Sequence, residues 1–151
     1  MKPLSHGEFA KYHALGNDYI VVDPKSLGVA LAPANIRAIC HRHFGVGSDG
    51  ILAIAPPREG ADFGLRIFNP DGSEAEKSGN GLRIFARFLY DFGYTRKRGL
   101  VIWTQGGVVR AALFVEKGDV RQIQVDMGRA TFEVVGEVFR AGGRDFRATC
   151  L

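Results

Sequence analysis

SGNGLRIFARFLYDF, residues 78–92, reads as a helix from about residue 80 to residue 92 that is apolar almost all the way round. The apolar positions are Leu82, Ile84, Phe85, Ala86, Phe88, Leu89 and Phe92. A helix with so little polar surface is stable only when it is buried. We therefore expect the rest of the chain to enclose this helix.

Short segments with strand-like alternation, separated by Gly, Pro and Asp turns, make up most of the remaining sequence. The predicted strands are residues 8–14, 19–22, 50–54, 64–69, 99–105, 108–116, 120–126 and 146–150. Turns suited to hairpins are predicted at Gly106-Gly107, Lys117-Gly118-Asp119 and Gly142-Gly143. A shorter helix is predicted over about residues 33–41, with Pro33 in its first turn. This pattern favours an α+β fold, in which a mixed, mostly antiparallel curved sheet wraps around a central buried helix.

Composition limits the class of protein. The chain has 151 residues and is 46% hydrophobic, which predicts one globular domain, residues 1–151. Its net charge of +4 is spread out, and Arg96-Lys97-Arg98 reads as a solvated turn, so no nucleic-acid partner is expected. No signal region and no apolar run of membrane-spanning length occurs, which favours a cytoplasmic protein with no membrane partner. Cys40 and Cys150 are expected to be reduced core cysteines.

The start of the long helix is the first candidate for chemistry. Ser78-Gly79-Asn80-Gly81 places unpaired N–H groups and the positive end of a helix dipole where two glycines allow a ligand to approach. This arrangement is typical of an anion site. A simpler interpretation stays open, in which Ser78 or Asn80 is only an N-cap. Asn17, in a polar break between two predicted strands, either binds a ligand or belongs to an ordinary hairpin.

Three other motifs are weaker. Residues 45–50 satisfy G-x-G-x-x-G, but they follow a predicted helix and precede a strand, the reverse of a dinucleotide site. His41-Arg42-His43 lacks companion ligands at metal spacing, which favours a loop role. Asp49 and Glu74 have no sequence context that selects them as an acid–base pair.

Four blocks together resemble the diaminopimelate epimerase family in residues, order and spacing, and the likeness covers essentially the whole chain. The blocks are YHALGNDY (12–19), RHFGVGSDG (42–50), RIFNPDGSE (66–74) and GNGLR (79–83). The resemblance implies two similar halves, each a sheet around a central helix, with the substrate between them. This chain would be the amino-terminal half, and the second half is absent from it.

The resemblance also implies a chemistry and a set of site residues. Such enzymes epimerise a small amino dicarboxylate in lysine biosynthesis, without pyridoxal phosphate or metal, using one cysteine from each half. Asn17 and Asn69 would hydrogen-bond the substrate's polar groups, while Gly79 and Asn80 would offer backbone donors to the carboxylate on the reacting carbon. Ser78 occupies the first acid–base position.

Serine at position 78 departs from the family pattern, because a hydroxyl ionises far less readily than a thiol. An engineered substitution, a relative with altered chemistry and a relative that only binds ligand all fit, and the related proline racemase group includes epimerases with serine there.

Two other functions stay open, a phenazine-biosynthesis-type isomerase and a non-catalytic module that binds a small carboxylate. A half of this kind exposes its interdomain face, which predicts association with a second half-domain or another copy.

Overall fold

The computed structural model of the protein describes residues 2–129, 138–141 and 144–147. The helices are α1 (Pro24–Leu27), α2 (Pro33–Cys40) and α3 (Gly79–Asp91). The first strands are β1 (Ala10–Ala14), β2 (Asn17–Val22), β3 (Ile51–Ala55), β4 (Phe63–Phe68) and β5 (Glu74–Ala75). They are followed by β6 (Gly99–Thr104), β7 (Gly107–Glu116), β8 (Asp119–Asp126), β9 (Val138–Ala141) and β10 (Arg144–Arg147).

One large sheet contains the first eight strands in the order β1-β2-β3-β4-β6-β7-β8, with β5 beside β4. Its pairings are antiparallel except β2 with β3 and β4 with β6, which are parallel. Helix α3 contacts both end strands, β1 and β8, and their neighbours β2 and β7. A sheet whose two edges contact the same helix is curled around that helix. The predicted α+β fold, with a mostly antiparallel curved sheet around a central helix, is confirmed.

The main core lies between α3 and the concave face of this sheet. The side chains of Leu82, Phe85, Phe88 and Leu89 are fully buried there. Alternate residues of the strands face them, because successive side chains of a strand point to opposite faces. These facing residues include Val21, Leu52, Leu65, Ile67, Leu100, Ile102, Val109 and Leu113. Burial of this helix surface against the sheet is the main driving force for the fold.

A second apolar cluster lies on the convex face, under α2. It joins Ile36 and Cys40 of α2 to the alternate residues of β2, β3 and β4. These strands are therefore covered on both faces, which explains why Tyr19–Val22 and Ile51–Ala53 are continuous apolar runs. Cys40 is a buried free thiol, as predicted, and its burial raises the pKa of the thiol.

Most predicted element boundaries differ from the observed ones by one or two residues, and some elements were not predicted at all. The first strand begins at Ala10 instead of residue 8, because a turn closed by Glu8 N–H to Ser5 O occupies the preceding residues. The two-residue strand β5 and the one-turn helix α1 were not predicted. Helix α1 carries a start signal, since the Asp23 carboxylate accepts from Lys25 N–H and Pro24 follows the cap.

At the carboxyl end, the strand predicted from residue 146 begins earlier. The strand there is β10, residues 144–147, and it pairs antiparallel with β9, which was not predicted. Gly142-Gly143 and residues 148–150, which include Cys150, lie outside the described residues. Within the described part of the chain, no helix is long and apolar enough to cross a membrane.

Candidate active site

The first turn of helix α3 has backbone N–H groups that are only partly paired within the described residues. Ser78 is extended, with φ −145°, and its hydroxyl accepts a hydrogen bond from Gly81 N–H at 3.0 Å. Its carbonyl accepts from Leu82 N–H at 2.9 Å. Within the described residues, no acceptor pairs with the amides of Gly79 and Asn80. Ser78 therefore acts as an N-cap and still leaves two N–H donors at the positive end of the helix dipole.

Two of the predicted binding residues meet at this helix end. Asn80 Nδ2 donates to Asn17 Oδ1 at 3.2 Å, although the two residues are 63 positions apart. The Asn17 amide in turn donates to Asp49 Oδ2 at 3.0 Å. Each primary amide has two N–H donors and a carbonyl with two lone pairs, so both side chains keep capacity for a further partner.

A charged cluster lies beside this asparagine pair. Its members are Lys11, Asp18, Arg42 and Asp49. Arg42 binds Asp18 at 2.7 Å and Asp49 at 2.6 Å, and Lys11 reaches Asp18 at 3.1 Å. The hydrogen bond from Arg42, with help from Lys11, holds the pKa of Asp18 well below its usual range. The hydrogen bonds from Asn17 and the Asp18 amide lower the pKa of Asp49. Both carboxylates are therefore ionised and hydrogen-bonded at neutral pH. They orient the neighbouring residues and are poor proton acceptors.

Asn69 is placed apart from this group, in the turn between β4 and β5. Its side-chain amide donates to Ser73 Oγ at 2.9 Å, and its main-chain N–H donates to Ser73 O at 2.9 Å. No hydrogen bond among the described residues connects it to Asn17, Ser78 or Asn80. Its predicted contact with substrate stays a prediction.

Glu74 is also committed to a local pair. Its carboxylate binds the Arg66 guanidinium through two hydrogen bonds of 2.9 and 2.7 Å. Asp49 and Glu74 thus have separate basic partners, and nothing in the geometry joins them as an acid–base pair.

The loop over residues 41–50 pairs with the last carbonyls of α2 and so terminates that helix. His41 Nδ1 accepts from the main-chain N–H groups of His43 and Phe44, at 3.2 and 3.1 Å, which is the loop role predicted for this motif. Gly45 and Gly47 donate their amides to the carbonyls of His41 and Ile39. Amides already bonded to the end of a helix do not cradle a phosphate, in agreement with the rejected dinucleotide interpretation.

Sequence reasoning missed two side chains that contact the predicted ones. Tyr19 Oη lies 3.3 Å from Ser78 Oγ, and Arg83 donates a short hydrogen bond to Asn80 Oδ1. The sequence spacing between each of these residues and a predicted site residue could have indicated the contact. Tyr19 is two residues after Asn17 on the same strand face, and Arg83 is three residues after Asn80 on the same helix face.

The arrangement can bind an anion beside a hydroxyl. Ser78, Gly79, Asn80 and Asn17 are all partly exposed, so a ligand can reach them. Two free amides and the helix dipole suit a carboxylate, and the Ser78 hydroxyl adjoins the position that such a group would take. Cys40 lies in the cluster on the opposite face of the sheet and cannot replace the hydroxyl.

Comparison with known proteins gives consistent similarities. The family model described as diaminopimelate epimerase matches residues 9–133. Diaminopimelate epimerase 2 of Nostoc sp. is 54% identical over 125 residues, which are 83% of this chain and 43% of the relative. The diaminopimelate epimerase of Methanothermobacter thermautotrophicus is 44% identical over 128 residues, 83% of this chain and 45% of the relative. The chain thus spans less than half the length of these two relatives.

The fold has solved counterparts as well. A hydroxyproline epimerase from Agrobacterium vitis, crystallised with bound trans-4-OH-L-proline, superposes with a TM-score of 0.61. The identity is 16%, and the superposition covers 78% of this chain and 40% of that one. At this identity the likeness concerns the fold.

Proposed function

Because the chain belongs to the diaminopimelate epimerase family, we propose that it supplies one half of the active site of a cofactor-independent amino-acid epimerase. The substrate is an amino dicarboxylate of the diaminopimelate class, and the reaction inverts the carbon that carries an amino group and a carboxylate. Family membership and the names of the curated relatives support this substrate class.

A single observation carries the proposal at the level of residues. The amides of Gly79 and Asn80 are unpaired within the described residues, and they adjoin the Ser78 hydroxyl. A substrate carboxylate held by these two donors places its α-carbon next to Ser78. The amides and the helix dipole also stabilise the negative charge that develops on the carboxylate when the α-proton leaves.

Asn17 and Asn69 complete the proposed site by binding the polar groups of the substrate. Asn17 is already oriented through Asp49 and Asn80, so its remaining donor has a defined direction. Asn69 would need to exchange or extend its bond to Ser73.

Inversion requires a second proton-transfer group on the opposite face of the substrate. We place that group on a second half-domain or on another copy of the chain, since the curated relatives are about twice as long as the region they share with this one. Leu15 and Phe44 are 95% and 91% exposed on the loops that flank Asp18 and Arg42, which supports an apolar contact beside the site.

The test is exchange of the α-proton of diaminopimelate in deuterated water, catalysed by the complete gene product that contains residues 1–151. Ser78→Cys should raise the exchange rate by about 100-fold or more, because a thiol at a helix N-terminus ionises near neutral pH. Ser5→Cys should leave the rate unchanged, since Ser5 makes no hydrogen bond to the residues of the α3 amino terminus within the described part of the chain. If Ser78→Cys exchanges no faster than the parent, the epimerase assignment fails.

A second candidate is a non-catalytic module that binds a small carboxylate. The engagement of Ser78 as the N-cap of α3 favours it, since a capping hydroxyl needs no chemical role. Calorimetric titration with diaminopimelate separates the two functions. Saturable binding that Asn80→Ala weakens, without deuterium exchange in either the parent protein or the Ser78→Cys variant, identifies the binding module.

A further inference from the structure

Tyr19 carries a hydroxyl with no role in the proposed function so far. Its oxygen lies 3.3 Å from Ser78 Oγ, and either atom can be the donor. Among the described residues, Ser78 is the hydrogen-bond partner of this phenol. The proposed acid–base position thus has a second hydroxyl oxygen next to it.

The contact is held in place by close packing. Tyr19 lies in β2 on the α3 side of the sheet and is only 7% exposed. A Cβ at Gly50 would lie 2.8 Å from Tyr19 Cε1, and a Cβ at Gly81 would lie 3.2 Å from Ser78 Oγ. The two glycines therefore leave the space that the ring and the serine hydroxyl occupy.

Hydrogen-bond capacity defines two arrangements of this pair. A hydroxyl has one proton and two lone pairs, and Ser78 Oγ already accepts from Gly81 N–H. If Tyr19 donates to Ser78, both lone pairs of Ser78 are used and the serine proton is free to face a substrate. If Ser78 donates to Tyr19, one lone pair of Ser78 is open towards the substrate. The first arrangement is that of a proton donor and the second is that of a proton acceptor.

We propose that Tyr19 is a positioning residue that relays protons to and from Ser78. This inference rests on the proposed epimerase function. A phenol ionises far more readily than an aliphatic alcohol, so Tyr19 supplies what an isolated serine lacks.

In the proposed step the Tyr19 hydroxyl passes its proton to water. The C–H bond at the substrate's α-carbon then breaks, its proton bonds to Ser78 Oγ, and the Ser78 proton passes to the Tyr19 oxygen. The electron pair stays on the α-carbon beside the bound carboxylate. In reverse, the phenol returns its proton to Ser78 and Ser78 protonates the carbon. The positive end of the α3 dipole stabilises the negative charge on this pair of oxygens.

The kinetic test is a double-mutant cycle on the complete gene product, with α-deuterium exchange of diaminopimelate as the readout. Tyr19→Phe keeps the ring and should slow exchange at least about 10-fold when residue 78 is serine. When residue 78 is cysteine, the same change should cost less than about threefold, because the thiol ionises without help. Tyr12→Phe is the matched control, since Tyr12 is opposite Tyr19 in the β1–β2 register and its hydroxyl binds Asp91.

Equal slowing by Tyr19→Phe in both backgrounds would show a structural role only and would overturn the relay. If no form exchanges deuterium, including Ser78→Cys, the proposed function fails and the relay fails with it.

A second measurement tests the hydroxyl pair without any catalysis. In protein labelled with ¹³C at the tyrosine ζ carbons, Ser78→Ala should shift the Tyr19 resonance, while the resonances of Tyr12, Tyr90 and Tyr94 stay in place. An unmoved Tyr19 resonance would overturn the relay and leave the proposed function standing.

Discussion

At the scale of single residues, the Ser78 hydroxyl is the N-cap of α3 and, as we propose, also the acid–base group. Its hydroxyl caps α3 through Gly81 N–H, and the same oxygen faces Tyr19 and the unpaired amides. An N-cap and an acid–base group need the same position, because both depend on the first turn of the helix. Substitutions of Ser78 should therefore change the free energy of unfolding and, under the proposed function, the activity as well.

Removal of the cap should destabilise the protein by a predictable amount. Ser78→Ala should lower the free energy of unfolding by about 1 kcal/mol, whereas Ser78→Gly should cost only a few tenths. Urea denaturation measures both. Ser5→Ala is the control, since the Ser5 hydroxyl has no hydrogen bond among the described residues. A loss for Ser78→Ala no larger than that for Ser5→Ala would contradict the capping role.

The Asp18 ion pairs should make stability depend on pH. Arg42 and Lys11 hold the pKa of Asp18 below its usual range in the folded protein. As the pH falls below about 4, the Asp18 carboxylate therefore takes up a proton in the unfolded chain before it does so in the folded protein. The contribution of the ion pairs to the free energy of unfolding is complete at higher pH and is progressively lost below that pH.

Asp18→Asn should accordingly destabilise the protein more at pH 7 than at pH 3. Urea midpoints at the two pH values measure the difference. Asp119→Asn, at an exposed position at the start of β8, should show much less dependence on pH. If the cost of Asp18→Asn is the same at both pH values, the ion pairs do not contribute to folding.

Helix α3 is the element on which the fold depends. It contacts strands from both edges of the sheet, so its loss would leave the concave face exposed to water. The position of α3 also determines where the candidate site lies, because the amino terminus of this core helix contacts Asn17 and Tyr19.

Truncation of a side chain in this helix should cost far more than truncation of the same side chain on the surface. Phe85 is fully buried, and Phe85→Ala should lower the free energy of unfolding by about 3–5 kcal/mol. Phe114 is 49% exposed on β7, and Phe114→Ala should cost less than about 1.5 kcal/mol. Equilibrium denaturation compares the two variants. Similar costs would argue against α3 as the centre of the core.

The site lies at the surface of the molecule as a whole. Ser78, Asn17 and Asn80 are partly exposed, and Leu15 and Phe44 expose apolar side chains on the loops beside the charged cluster. This surface is the one on which we propose that a second half-domain or another copy packs.

Self-association is the corresponding prediction. The 151-residue chain should form dimers or larger species at micromolar concentration, and the double variant Leu15→Ser, Phe44→Ser should shift it towards monomer, because both side chains lose apolar contact area. Sedimentation velocity measures the distribution. Val29→Ser, exposed between α1 and α2, is the control. A monomeric parent chain at that concentration would contradict the prediction.

Local pattern was enough to predict the main elements. The long helix was predicted over residues 80–92 and is observed at Gly79–Asp91, and the strands of the large sheet were found to within about two residues, apart from β5. The short elements α1, β5 and β9 were missed because their few residues show no period. The start of the strand at the carboxyl end was misplaced because the alternation there permits more than one register.

For the site, the residues of the α3 amino terminus followed from the sequence alone, since Ser78 and the two glycines are neighbours along the chain. The meeting of Asn80 with Asn17, the contact of Tyr19 with Ser78 and the pairing of Asp18 and Asp49 with Arg42 required the tertiary structure. The physical reason is distance along the chain. Hydrophobic periodicity and capping act over a few residues, whereas the contacts of Asn80 with Asn17 and of Tyr19 with Ser78 join side chains that only the curling of the sheet around α3 brings together.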